Sequence, residues 1–241
     1  MKHALWLAAA LFWFGGAAFA ENNAEFGISY ESLKDDASGG TFKGFGETLR
    51  GRYDLQELFQ LPIFAVAGLS ADSTDTSSLG PKVTVKFTTL NLGGGWAWEL
   101  SDTAEAYTQL AYTHGKESVD VASASASRSL DGLTLAVGGH LWFSPMFKGF
   151  GALDYAKDSH DIKGPGILLG VEYRVLPYLG VFLSEQYSQI DGYVFSNDKT
   201  KANSIMLGAS YPFGGVGGPS SQGSQKEEEK VKVVKPEKPA K

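Results

Sequence analysis

SIMLGASYPF, residues 204–213, alternates apolar residues with small or polar ones and closes on an aromatic. The twenty-eight residues after it hold almost nothing to bury. Ile205, Leu207, Ala209, Tyr211 and Phe213 share one parity, and Ser204, Met206, Gly208 and Ser210 share the other. A period of two predicts a strand with two unlike faces. A strand this regular at the end of the packed part of a chain needs a partner, because an open edge presents a row of bare N–H and C=O groups. Which face meets which solvent depends on where the chain folds.

The first twenty residues bear on that. MKHALWLAAALFWFGGAAFA has a short basic start (Lys2, His3), an apolar run from Ala4 to Phe14, and small residues ending Ala-Phe-Ala before Glu21. This is the pattern of a secretory signal peptide cleaved near Ala20. Its apolar run is shorter than the roughly 20 residues a membrane-spanning helix needs. No later stretch approaches 18 unbroken apolar residues, so spanning helices are not expected.

The chain has no cysteine, so folding must rest on burial rather than disulfides. Residues 21–213 carry 14 basic and 23 acidic side chains, a balance that excludes a nucleic-acid-binding footprint. Thirty glycines and nine prolines, spread along the chain, suit a β protein with many turns.

Ten strands are predicted: 24–33, 42–54, 62–71, 83–99, 104–116, 132–143, 147–157, 166–175, 178–190 and 203–213. The connectors alternate in kind. LQELFQL, SDT, SPM and LP are short, whereas KDDASGGT, DSTDTSSLGPK, ESVDVASASASRSLD, DSHDIKGP and DGYVFSNDKTKA are longer and polar. Short turns at one end and long loops at the other distinguish a transmembrane barrel from a soluble sandwich. Apolar residues on one parity agree: Leu133, Leu135, Val137, Leu141 and Phe143 in one strand, and Ile167, Leu169, Val171, Tyr173 and Val175 in another. On that parity Leu169→Arg should harm folding far more than Gly170→Ser. Strands 83–99 and 178–190 change apolar parity partway, which predicts either bulges or strand boundaries other than these.

Aromatics gather beside the short turns: Tyr53, Phe59, Trp96, Trp98, Trp142, Phe143, Phe147, Tyr173, Tyr178, Tyr211 and Phe213. Amphipathic rings favour the membrane interface, so these predict a girdle there. With this the chain resembles bacterial outer-membrane β-barrels of the OmpA/OmpX or porin-like kind. The resemblance rests on the signal peptide, the Gly- and aromatic-rich alternating strands and the terminal Tyr211-Pro212-Phe213. It implies a closed, all-β, antiparallel up-and-down barrel over 21–213, with eight strands as the alternative to ten. It also implies contact with outer-membrane lipid and lipopolysaccharide, and reading of the last strand by the barrel-assembly machinery. Residues 214–241, rich in Lys, Glu, Gly, Ser and Pro, are expected to form a disordered periplasmic tail that could touch the cell wall or a periplasmic partner.

Little in the sequence suggests an enzyme. The histidines after the signal peptide, His114, His140 and His160, have no paired metal-ligand spacing, and no cofactor fingerprint occurs. GGGWAW at 93–98 reads as a place where the wall bends or packs closely. Arg50, Arg52, Glu105, Gln109, His140, Asp154, Glu172 and Arg174 have inward parity and predict a polar network in the lumen. That network would either plug the barrel, leaving a structural or surface-interaction role, or line a narrow passage for ions or small solutes. A second resemblance, to the ten-stranded omptin proteases, rests on Asp158-x-His160 and on Asp72 with Asp75. It implies an Asp-His pair and an Asp pair activating a water, although here the two aspartates are three positions apart.

Overall fold

A computed structural model describes residues 22–35, 41–76, 83–121, 124–159, 163–191 and 199–213. The signal segment, the C-terminal tail and His160 lie outside the described residues. Ten strands follow one another: β1 (Asn23–Asp35), β2 (Thr41–Asp54), β3 (Ile63–Thr76), β4 (Val83–Ser101), β5 (Ala104–Val121), β6 (Ala124–Ser144), β7 (Phe147–Asp158), β8 (Lys163–Leu176), β9 (Leu179–Asp191) and β10 (Lys199–Pro212). Each pairs antiparallel with its sequence neighbours, and β1 pairs with β10, so the sheet is a closed barrel of ten strands. The four short connections share one end with both termini of the barrel, which makes that end periplasmic.

Closure runs from Asn23 opposite Pro212 to Asp35 opposite Thr200. Pro212 has no N–H to give to a ladder and stands at the strand's last position, where none is required. Phe213 then donates its backbone N–H to the Asn22 carbonyl at 2.8 Å, and its ring stacks on Tyr53. SIMLGASYPF is thus the strand that removes both edges of the sheet.

The 55–62 connection winds into one helical turn, α1 (Gln56–Phe59). Register shifts occur between Glu99 and Ser101, Trp142 and Ser144, and Arg174 and Leu176, all beside the tight periplasmic turns. The bulges predicted within 83–99 and 178–190 are absent. β4 keeps one parity throughout, with Val85, Phe87 and Thr89 inward and Leu90, Leu92, Trp96 and Trp98 outward. The apolar residues change parity along β4 because the strand outruns the bilayer. Below, its outer face meets lipid; above, that face carries Thr84, Lys86 and Thr88, and the lumen is the only dry place left for Val85 and Phe87. In β9, Phe182 simply faces inward between the outward Val181 and Leu183.

The expected loop ESVDVASASASRSLD is mostly strand. β5 continues to Val121 and β6 begins at Ala124, so the pair forms a ladder from Val121↔Ala124 down to Ala104↔Leu141. Ser, Ala and Val at these positions read as loop by composition but pair readily as a ribbon that nothing in the membrane constrains.

Outward residues form the lipid belt. Ile28, Leu49, Leu69, Leu110, Leu135, Val137, Leu153, Leu169 and Leu207 are all exposed on this face. The aromatic girdle at the periplasmic side holds Tyr53, Trp96, Trp98, Phe143, Phe147, Tyr173, Tyr178, Tyr211 and Phe213. Trp142 is the exception. It is 7% exposed and points into the lumen, because it shares the parity of His140 rather than that of Leu141 and Phe143. A second aromatic row, Tyr30, Phe45, Tyr112, Tyr155 and Tyr187, lies near the outer end of the belt and was not anticipated.

Inside, the barrel has a hydrophobic core of Phe64, Tyr107, Phe150, Ala152, Leu168 and Phe182. Its four aromatic rings share one device. Each stands directly opposite a glycine on the next strand: Phe64↔Gly95, Tyr107↔Gly138, Phe150↔Gly170 and Phe182↔Gly208. A Cβ at Gly170 would lie 2.2 Å from the Phe150 ring, and one at Gly138 would lie 2.3 Å from the Tyr107 hydroxyl. The rings lie over bare backbone, an arrangement that pins register in curved sheets. Gly170 therefore faces the lumen as expected but has no room for a side chain, so the expected tolerance of Gly170→Ser is withdrawn.

Gly170→Ala and Gly138→Ala should each destabilise the folded barrel by about 1–3 kcal/mol, the usual scale for overpacking. Gly68→Ala is the control: it also faces inward, but its Cβ would meet Arg50 Cβ at an ordinary 3.5 Å. Leu169→Arg should cost about 2–4 kcal/mol through charge on the lipid face. Urea midpoints of the refolded variants in detergent micelles test all four, and equal losses at Gly68 and Gly170 would remove the ring-over-glycine explanation.

Candidate functional site: the filled lumen

Alternation puts every second side chain of ten strands into one enclosed space, and that space holds charge as well as aromatic rings. Six of the eight lumen residues anticipated from sequence sit in ion pairs or near them. Arg52 Nη1 meets Glu105 Oε1 at 3.1 Å, and its guanidinium lies 3.8 Å from the Phe64 ring centroid. His140 Nδ1 is 4.0 Å from the same Glu105 oxygen. Arg50 pairs with Glu25 and lies over Phe182. Glu172 takes Lys148 Nζ at 2.8 Å and has Arg174 Nε at 4.0 Å. Both cations of that group also lie over Trp142, at 5.0 Å and 4.2 Å from the ring centroid. Trp142 is thus a cation–π platform inside the barrel rather than part of the outer girdle.

Gln109 and Asp154 are inward and buried as anticipated but are not brought into these pairs. Both Asp154 oxygens, and Gln109 Oε1, are buried with no hydrogen-bond partner among the described residues. Glu25, Lys148, Glu117 and Arg128 were missed. Buried Glu117 and half-buried Arg128 pair at 2.6 Å near the outer end, within the segment expected to be loop. Glu25 and Lys148 were legible: each has inward parity in its strand, and strand-by-strand parity would have found both.

Two further features shape the lumen. Toward its outer end Leu33, Phe42, Val85, Phe87, Val119 and Leu130 are all buried on the inward parity, an apolar cap that shares its level with Thr74 and the Glu117–Arg128 pair. Inside the lumen lies a polar cavity of about 80 Å³, lined by Asn23, Glu25, Ser29 and Glu31 of β1, Arg50 of β2 and Asp72 of β3, and by residues of β4, β5, β6, β9 and β10. It can hold several waters. None of the apolar cap residues lines it.

The two aspartates of the omptin-like Asp pair do not come together, and His160 lies outside the described residues. Asp72 and Asp75 differ by an odd number of positions on β3 and face opposite sides of the wall. Asp72 is buried in the lumen, where it shares a hydrogen bond with Glu31 and accepts one from Ser70. Asp75 faces outward and accepts a hydrogen bond from Thr84 Oγ1 at 2.7 Å. Asp158 is buried and inward. Among the described residues no three His, Asp or Glu side chains converge to hold a metal ion.

Comparison with known proteins agrees with this architecture. The family model described as "outer membrane protein beta-barrel domain" matches residues 6–213. The chain belongs to that family. Among solved structures similar to this barrel domain is Ail, the attachment invasion locus protein of Yersinia pestis. It is 17% identical, with 80% of this chain and 98% of that one covered and a TM-score of 0.41. Neisserial surface protein A is 13% identical, covering 80% and 97%, with a TM-score of 0.44. The outer membrane protease OmpT of Escherichia coli is 8% identical, covering 80% and 97%, with a TM-score of 0.49. No curated protein matches the sequence significantly.

The unlike environments of two lumen carboxylates give opposite expectations for this family member. Glu172→Ala should destabilise by about 3–5 kcal/mol, because it removes the carboxylate that Lys148 and Arg174 share in the buried lumen. Asp154→Leu should stabilise by about 1–3 kcal/mol, because it removes a buried carboxyl whose oxygens have no donor. Urea unfolding followed by tryptophan fluorescence measures both, and destabilisation of similar size at the two positions would show that Asp154 has a partner.

Proposed function

We propose that the protein is a closed outer-membrane barrel that acts through its surfaces, as a structural or interaction module, and neither conducts solutes nor catalyses a reaction. One observation carries this reading: the lumen is filled at two levels. The aromatic cluster of Phe64, Tyr107, Phe150 and Phe182 crosses the middle, and Leu33, Phe42, Val85, Phe87 and Leu130 cap the outer end. Apolar side chains at these two levels oppose the passage of hydrated ions. Export by residues 1–20, insertion by the assembly machinery through the β10 end, and a periplasmic reach of 214–241 belong to the same proposal.

A narrow polar passage is the second reading, and the polar cavity inside the lumen favours it. Its lining includes none of Leu33, Phe42, Val85, Phe87 and Leu130, so we read it as a lumen pocket closed toward the outer end.

In planar bilayers the wild-type protein should give no steady single-channel conductance. Phe150→Ala combined with Phe182→Ala should give flickering openings, because it empties the middle of the lumen. Large, stable wild-type channels would overturn the closed-barrel reading in favour of the porin one.

A further inference from the structure

Two serine–acid pairs face each other across a strand that puts no side chain between them. On β1 Ser29 and Glu31 point inward, and on β3 Ser70 and Asp72 do the same. β2 separates them, and its Gly46 stands opposite Ser29 on one side and Asp72 on the other. A Cβ at Gly46 would lie 1.8 Å from Asp72 Oδ1 and 2.7 Å from Ser29 Oγ. The bare backbone there lets polar groups of β1 and β3 meet over β2.

They meet as two acids. Glu31 and Asp72 touch at hydrogen-bonding distance. Ser29 Oγ donates to Glu31 Oε1 at 3.0 Å, and Ser70 Oγ donates to Asp72 Oδ2 at 3.2 Å. Glu31 Oε2 is buried and receives no donor, and among the described residues neither carboxylate pairs with a Lys or Arg. Glu31 is 1% exposed and Asp72 5%. Two adjacent carboxylates away from bulk water repel each other, and their charge is costly to hold there without a counterion.

A second observation points the same way. The pair lines the polar cavity inside the lumen, and so does Gln109 of β5. Gln109 is 7% exposed, and its Oε1 has no hydrogen-bond partner among the described residues. Charge adds a third. The charged residues lining the cavity are Glu25, Glu31, Asp72 and Arg50, three acids against one base. Arg50 is the ion-pair partner of Glu25, which leaves the carboxylates of Glu31 and Asp72 unbalanced.

We propose that Glu31 and Asp72 bind one hard divalent cation, calcium before magnesium, in the lumen cavity. Two carboxylates match its charge. Such ions take oxygen ligands, and a serine that has given its proton to a carboxylate keeps lone pairs for the metal. Only two acids meet here, so neutral oxygens and water complete the shell. Calcium accepts an irregular set of that kind, whereas magnesium demands a near-ideal octahedron. The ion ties β1, the strand that closes the barrel, to β3. This inference goes beyond the closed-barrel reading and stands whether or not the lumen conducts.

The test refolds the full chain into micelles of a zwitterionic detergent that carries no lipid A, with millimolar calcium, millimolar magnesium or EGTA. The ion is then present before the barrel closes. Equilibrium dialysis counts calcium per chain, and tryptophan fluorescence gives the urea midpoint. Wild type should retain one calcium more than Glu31→Gln or Asp72→Asn. Calcium should raise the wild-type midpoint, and magnesium should raise it less. Both variants should lose that rise. In EGTA they should match or exceed wild type because the repulsion is gone, which separates loss of the site from failure to fold. The control Glu47→Gln removes an exposed carboxylate on the outward face of β2 and should keep the rise. Equal wild-type midpoints in calcium and EGTA would overturn the proposal and mean that the pair shares a proton instead. So would an undiminished calcium rise in both variants, which would place the ion elsewhere on the barrel.

Discussion

In a bilayer core no water is available to a bare N–H or C=O, and each unsatisfied group costs several kcal/mol. The β1–β10 ladder, with thirteen residue pairs from Asn23↔Pro212 to Asp35↔Thr200, meets that requirement for the whole sheet. Without it both edge strands would face lipid unpaired. The end of β10 is suited to closure in three ways. Its alternation runs to the last residue, Pro212 stands where no donor is needed, and the Phe213 N–H reaches the Asn22 carbonyl. Everything else in the molecule is what closure then encloses or exposes.

What it encloses behaves as the core of a small protein turned inside a membrane wall. Rings over glycines set the register in the middle, cations over Trp142 and Phe64 tie the charged zone to them, and an apolar cap ends the lumen. Burying paired charges beside aromatic faces makes each ion pair a packing element as well as an electrostatic one. The outward face changes character with depth: aliphatic in the bilayer, aromatic at both interfaces, lysine-bearing at the outer rim. Inward and outward chemistry exchange where β4 and its neighbours leave the membrane.

Strand number, strand order and the lipid-facing parity were readable from SIMLGASYPF and from the alternation of short and long connectors. Those signals are local and period two. Depth is not local. The Val85–Phe87 and Leu90–Leu92 runs look like a parity slip in one dimension, yet they are one unbroken strand crossing from lipid to water. The same blindness placed Trp142 with its aromatic neighbours in the girdle, although its parity matched His140. It also made a loop of the β5–β6 ribbon, whose Ser and Ala residues need no lipid pattern. In the lumen, inward parity was enough to name Arg52, Glu105, Glu172 and Arg174. That an aromatic core shares their space depends on which cross-strand partner is a glycine, and register supplies that only once the barrel closes.

The absence of cysteine makes the sharpest measurement simple. Single spin-labelled cysteines placed in turn along β4, from Thr84 to Trp98, can be read for access to oxygen, which partitions into lipid, and to a water-soluble nickel chelate. An unbroken strand bordering a filled lumen should give a strict two-residue alternation. Positions 85, 87, 89 and 91 should be closed to both reagents. On the other parity, positions 84, 86 and 88 should be open to nickel, and 90, 92, 96 and 98 open to oxygen. A break in the alternation near residue 89, or nickel access at the inward positions, would contradict the account.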